Sequence, residues 1–198
     1  MNKLLLLAFY IILLMMVGCS KEYSTVNLGV KNAIYFTTYT IKAGMHYAND
    51  DSTTIQLVET NLLKFITRFN ESARYATRLA TNQADVNKLY GFSDNQSHHH
   101  QFSARIGWAW YNNALRLYGY TYNNGLRSIQ EITSIPLNTN INCEIQAVVG
   151  EYKFVVNDTS ITMPRLAATN KALGYKLYPY FGGDETAPHT ITILLKEY

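Results

Sequence analysis

Three consecutive histidines, His98-His99-His100, and a fourth at His189 are the most versatile chemical groups in this sequence. An imidazole titrates near neutral pH and is the commonest protein ligand for transition metals. Consecutive loop positions aim their side chains in different directions, so at most one or two of the run are expected to reach one ion. Neither a cysteine nor a tightly spaced carboxylate is placed to complete a coordination shell. The expectation is therefore no metal centre and no cofactor. His98 is expected as a polar contact at a ligand cleft, with His98, His99 or His189 the options for a proton carrier. Plain loop histidine is the competing reading. Asp85, Asp94, Asp184 and Glu185 fall in expected loops. They lack the dense ligand spacing of a calcium loop. No strand carries the paired acids of a retaining glycosidase. Turn roles are the simpler expectation for them.

A second chemistry rests on rings and cations. In Leu115–Tyr122, Leu115, Leu117 and Gly119 alternate with Arg116, Tyr118, Tyr120 and Tyr122. Strand side chains alternate between faces, so these sets point opposite ways. Ser103–Trp110 precedes, joined through Tyr111-Asn112-Asn113-Ala114, and the pair reads as a hairpin. There Ile106, Trp108 and Trp110 share a face opposite Arg105. In Lys176–Phe181, Leu177 and Phe181 fall on one face and Lys176, Tyr178 and Tyr180 on the other. If the aliphatic set is core, one exposed face carries Arg105, Arg116, Tyr118, Tyr120, Lys176, Tyr178 and Tyr180. Tyrosine rings stack on the C–H faces of sugars, and cations pair with carboxylate or sulfate groups. The bland alternative is a solvated face that uses tyrosine for its strand propensity.

The elements that must hold such a face are strands. No long stretch carries a 3.6-residue apolar stripe. Even Asp50 to Leu63, the best helical candidate, contains Thr53-Thr54-Ile55 and Val58, which favour strand. Short strands punctuated by Asn, Gly, Asp and Pro point to an all-β sandwich. Ile141–Val149, Tyr152–Val156 and Thr190–Leu195 are expected core strands, and Asn123-Asn124-Gly125 and Asn157-Asp158 expected turns. The chain has 17 basic and 14 acidic side chains, a balance that favours neither nucleic acid nor an anionic membrane surface as partner.

The amino terminus carries a separate message. One cation, Lys3, precedes an apolar run from Leu4 to Val17, too short for a comfortable membrane span and suited to a secretory signal. The run ends in Met16-Val17-Gly18-Cys19, which resembles the bacterial lipobox. The resemblance implies a signal peptide over 1–18, a lipid on Cys19, a tether over 19–30 and a β-domain over 31–198. Ser20 follows the cysteine, which favours the outer membrane. The membrane is then a partner through the lipid, on either the periplasmic or the cell-surface face. The chain has two cysteines, so Cys143 has no partner left and is expected as a small buried residue.

Asn87-Lys88-Leu89-Tyr90-Gly91-Phe92-Ser93-Asp94, the histidine run, Ser103-Ala104-Arg105-Ile106-Gly107-Trp108, Tyr118–Gly125 and Tyr178–His189 together resemble a family of secreted lipoproteins from glycan-feeding Gram-negative bacteria. That family looks like the concanavalin A-like lectin/glucanase jelly roll, so the expected fold is an all-β jelly-roll sandwich. A more distant likeness is to alginate-lyase-type jelly rolls, which handle a proton with tyrosine and histidine on a concave sheet. Here Lys176 precedes the tyrosines instead of following them. Three readings stay open: glycan binding, with a polysaccharide or oligosaccharide as partner; a polysaccharide lyase using Tyr178 or Tyr180; and a structural or assembly lipoprotein.

Overall fold

The computed structural model describes residues 35–49 and 55–198. The expectations for residues 1–30, the lipid on Cys19 among them, lie outside the described residues. Among the described residues thirteen strands follow in chain order: β1 (Thr37–Ile41), β2 (Ala48–Asn49), β3 (Leu57–Thr60), β4 (Leu62–Phe69), β5 (Asn87–Ser93), β6 (Phe102–Tyr111), β7 (Ala114–Asn123), β8 (Leu126–Ile135), β9 (Ile141–Val148), β10 (Glu151–Val156), β11 (Thr159–Pro164), β12 (Ala172–Leu177) and β13 (Ile191–Glu197). They form a seven-stranded sheet, β11-β10-β9-β4-β13-β1-β2, and a six-stranded sheet, β3-β12-β5-β6-β7-β8. The two sheets pack as the expected all-β jelly-roll sandwich. The last strand does not sit at an edge: β13 pairs with β1 and β4 inside the larger sheet.

The hairpin β6–β7 is the backbone of the smaller sheet. Its ten pairs run from Phe102↔Asn123 to Tyr111↔Ala114, closed by Asn112 and Asn113 at φ 50° and 56°. Both central residues left-handed is the turn that matches strand twist, and asparagine tolerates it. Ala104, Ile106 and Trp108 of β6 and Leu115 and Leu117 of β7 enter one core with Phe65, Phe69, Phe154 and Ile193 of the larger sheet. Trp108 is fully buried, with Phe69 at 5.2 Å and Tyr75 edge-on at 5.7 Å. Gly119 keeps its place for want of room: a Cβ there would come within 2.7 Å of the Met163 sulfur. Cys143 is buried, as expected, and forms no disulfide among the described residues.

The other face of the smaller sheet therefore carries the alternate residues. Three cross-strand rows can be read from the pairing: Ser93–Ser103–Tyr122–Arg127, Gly91–Arg105–Tyr120–Ile129 and Lys88–Gly107–Tyr118–Glu131. A register shift between Lys88 and Tyr90 turns both Leu89 and Tyr90 into the core and leaves Lys88 on the outer face.

Candidate functional site

Arg105 lies at the middle of the outer face and is only 5% exposed. Its neighbours in the row explain this. Gly91 offers no side chain, and a Cβ there would meet the Arg105 Cα at 2.7 Å. On the other side, the Tyr120 ring lies 5.7 Å from the guanidinium carbon. The guanidinium makes no hydrogen bond to any described residue, and its Nε is fully buried without a partner. Burial pushes Arg105 below its ordinary value. The largest effects opposing that shift come from the rings Tyr120, Tyr122, Tyr175 and Tyr180.

Around Arg105 the face folds into a groove of about 350 Å³, lined by Lys88, His99, His100, Arg105, Tyr120, Tyr122, Arg127, Tyr180, Gly183 and Asp184. The Lys88 ammonium sits 5.2 Å from the Tyr120 ring centre and 5.4 Å from that of Tyr180. Burial, reinforced by Arg105 and Arg127, lowers its pKa from 10.5 to about 8. Lys88 and Tyr180 exchange backbone hydrogen bonds of 2.9 Å in both directions, which stitches the 178–183 loop to β5 and sets the groove wall. Tyr180 also stacks on His46 at 5.3 Å. Burial lowers His99 to about 4, with Arg105, His100 and His98 adding to the effect. His99 is thus neutral at pH 7, and its Nδ1 lies 3.0 Å from the Tyr175 hydroxyl. Burial raises Tyr120 to about 12, so it stays a phenol in the working range.

Of the site residues expected from sequence, Arg105, Tyr120 and Tyr180 line this groove. Arg116 and Tyr118 share the face but stand further along it. Arg116 is tied to Glu131 at 2.7 Å and to the Tyr111 carbonyl. His98 lines a wider neighbouring cleft of about 920 Å³ with Tyr175, Leu173, Leu57 and Val58. Lys176 and Tyr178 are corrections. Lys176 pairs with Phe92 and Leu177 with Gly91, so the face is one residue out from the expected one. Lys176 and Tyr178 face the larger sheet, in a small cleft with Tyr39, Tyr90 and Glu197. There Glu197 accepts from Lys176 Nζ at 2.6 Å and from the Tyr90 hydroxyl at 2.7 Å. Leu177 takes the groove face, where glycine at position 91 leaves room beside it. His189 is also remote from the groove: its Nε2 bonds the Ser72 carbonyl. Glu185 accepts from the Arg78 and Leu79 amides, which hold it below the usual carboxylate range in a loop-bracing role.

Sequence reasoning missed Lys88 and Arg127 as groove groups, and Tyr175 as the partner of His99 beside the groove. For Lys88 the hidden cause is the bulge, which breaks the alternation that a pattern would follow. The expected divergence of three adjacent histidines is also not met. Their ring centres lie 4.2, 5.1 and 4.3 Å apart.

Comparison with known proteins bears on the fold. No family model and no curated protein matches the sequence. Among solved structures, the alginate lyase from Klebsiella pneumoniae superposes at a TM-score of 0.52 and 11% identity, covering 72% of this chain and 60% of that one. Alginate lyase AlyC3 gives 0.52 at 10% identity, over 82% and 74% of the two chains. The family GH16 endo-β-1,3(4)-glucanase SCLam gives 0.50 at 6%, over 72% and 57%. At such identities the likeness extends to the jelly-roll fold alone.

Proposed function

We propose that this domain binds an acidic glycan in the groove over Arg105. The observation that carries the reading is a buried guanidinium without an acceptor among the described residues, facing an open, ring-lined groove. Taking a cation out of water costs several kcal/mol unless something compensates it. A carboxylate or sulfate seated against Arg105, within reach of Lys88 and Arg127, would supply that compensation, with Tyr120 and Tyr180 offering stacking surfaces. The alginate lyases among the fold relatives lend a carbohydrate-related role some support. On the same reading the chain works outside the cytoplasm, held to the outer membrane by a lipid on Cys19. The support for that is the sequence Met16-Val17-Gly18-Cys19.

A calorimetric panel of alginate, pectate, a sulfated glycan and a neutral glucan tests the reading. Binding of acidic members and silence toward the neutral one is expected. Equal binding of neutral glucan would contradict it. For the anchor, fractionation of cells expressing Cys19→Ala should move the protein from membrane to soluble fraction; an unmoved protein would refute the lipid.

One observation favours lyase chemistry as a second reading. Tyr180 and the neutral His99 line the same groove as Arg105. In β-elimination a base takes the proton beside the uronate carboxylate, the glycosidic C–O bond breaks, and the leaving oxygen is protonated. An ultraviolet-absorbing unsaturated product from a uronate polymer, abolished in Tyr180→Phe, would establish it. No product across a uronate panel would leave binding alone.

A further inference from the structure

We infer that His98, His99 and His100 form a chelating site for one transition-metal ion, of the zinc or copper class, at the rim of the groove. The inference is independent of the glycan reading. A potential ligand nitrogen from each of the three rings lies within 4.8 Å of the others. In tetrahedral zinc with bonds of about 2.1 Å, donor atoms stand roughly 3.4 Å apart, so modest ring rotations close the gap. His98 and His100 are exposed and free to make them.

The backbone explains how neighbours in sequence become neighbours in space. Asn95 and Gln96 both adopt positive φ, 55° and 54°, and send the chain into a tight turn. The Gln101 and Phe102 amides then both donate to the His98 carbonyl, at 2.7 and 3.2 Å. Winding the 98–101 segment around one carbonyl gathers three side chains on one side of the turn. Coordination through His98 Nδ1 would displace the bond it accepts from the His100 amide. At 3.3 Å that bond is long and its loss costs little.

Two features go beyond an exposed histidine run. The Tyr175 hydroxyl accepts the His99 amide at 3.2 Å and contacts His99 Nδ1 at 3.0 Å. With Nδ1–H donating to that oxygen, Nε2 is left as the ligand. A second partner fixing ring and tautomer in this way accompanies most metal-bound histidines. His100 is backed by the Tyr122 ring at 5.2 Å. An all-imidazole set selects zinc, copper or nickel over calcium and magnesium, and three ligands leave a fourth position open. Arg105 and Lys88 stand on the groove side and oppose a further cation, so an anion bound there would strengthen the metal, and the metal the anion, by the same factor.

The test is zinc titration of the untagged full chain in detergent, by calorimetry. One zinc per chain is expected, with no response to calcium or magnesium. Affinity should fall about tenfold or more in His99→Ala and about tenfold in Tyr175→Phe, which removes only the orienting hydroxyl. His189→Ala should leave it unchanged. Cobalt should give the visible absorption of a four-coordinate nitrogen site. Undiminished zinc affinity in a folded H98A/H99A/H100A variant would overturn the site. So would an affinity indifferent to Tyr175→Phe, the mark of an unstructured histidine run.

Discussion

Two arginines, Arg165 and Arg105, are almost wholly withdrawn from water, at 2% and 5% exposure, and their surroundings could hardly differ more. Arg165 donates to both oxygens of the equally buried Asp94, at 2.7 and 3.2 Å. It also donates to the Thr169 and Lys171 carbonyls, while the Tyr152 hydroxyl donates to Asp94 at 2.6 Å. Every donor on that side has an acceptor, which is how a folded chain normally tolerates a buried charge. Arg105 has rings and, among the described residues, no acceptor. The first arginine closes the sandwich by tying the loop after β11 to the end of β5. On the glycan-binding proposal, the second holds a charge in readiness above an open groove. Burial alone does not separate structure from function; the state of the hydrogen bonds does.

The largest effect is expected on the paired side. Asp94→Ala strands Arg165 as an uncompensated buried charge and should cost about 3–5 kcal/mol in denaturant unfolding. Adding Arg165→Met should restore part of that loss; strict additivity would mean the two residues do not act as a pair. Arg105→Met removes a charge that no described residue accepts a hydrogen bond from, so its denaturation midpoint should stay level or rise. A drop comparable to that of Asp94→Ala would erase the distinction between the two arginines.

Lys88 supplies a pH signature. Its pKa falls from 10.5 in the unfolded chain to about 8, so the folded state disfavours the ammonium. The resulting penalty is fully present below pH about 8 and is relieved between there and 10.5, so stability should rise with pH across that window. Affinity for an acidic glycan should move the other way, weakening as Lys88 loses its charge above pH about 8. Both trends should flatten in Lys88→Met. The smallest effect is expected at Lys176, which faces the other sheet. Lys176→Met should leave glycan affinity unchanged and cost about 0.2–1 kcal/mol through its partly exposed pair with Glu197. Lost glycan binding in that variant would restore Lys176 to the groove.

Much of the smaller sheet could be read directly from residue alternation. Ten uninterrupted pairs and a two-asparagine turn put Arg105 and Tyr120 on one face and Ile106, Trp108 and Leu117 on the other. Alternation failed where a local rule intervened. At β5 the bulge after Lys88 places two successive apolar residues in the core and hides the lysine's facing. At β12 the assumption that leucine points inward misled, because the missing side chain of Gly91 lets Leu177 bury on the groove side. Asp94 and Arg165 are 71 residues apart, and no local pattern marks either as buried. The convergence of the three histidines depends on two left-handed residues upstream, a conformation that composition alone does not announce.

The most direct test is a calorimetric titration of the wild-type chain and Arg105→Met with the same acidic oligosaccharide, alongside a circular dichroism melt of each. Loss of one charged hydrogen-bonding partner should weaken binding by about ten- to a hundredfold while the melt is unchanged or shifted upward. Undiminished affinity in a variant that melts far below the wild type would show that Arg105 serves the fold, and that the groove is not its reason for being there.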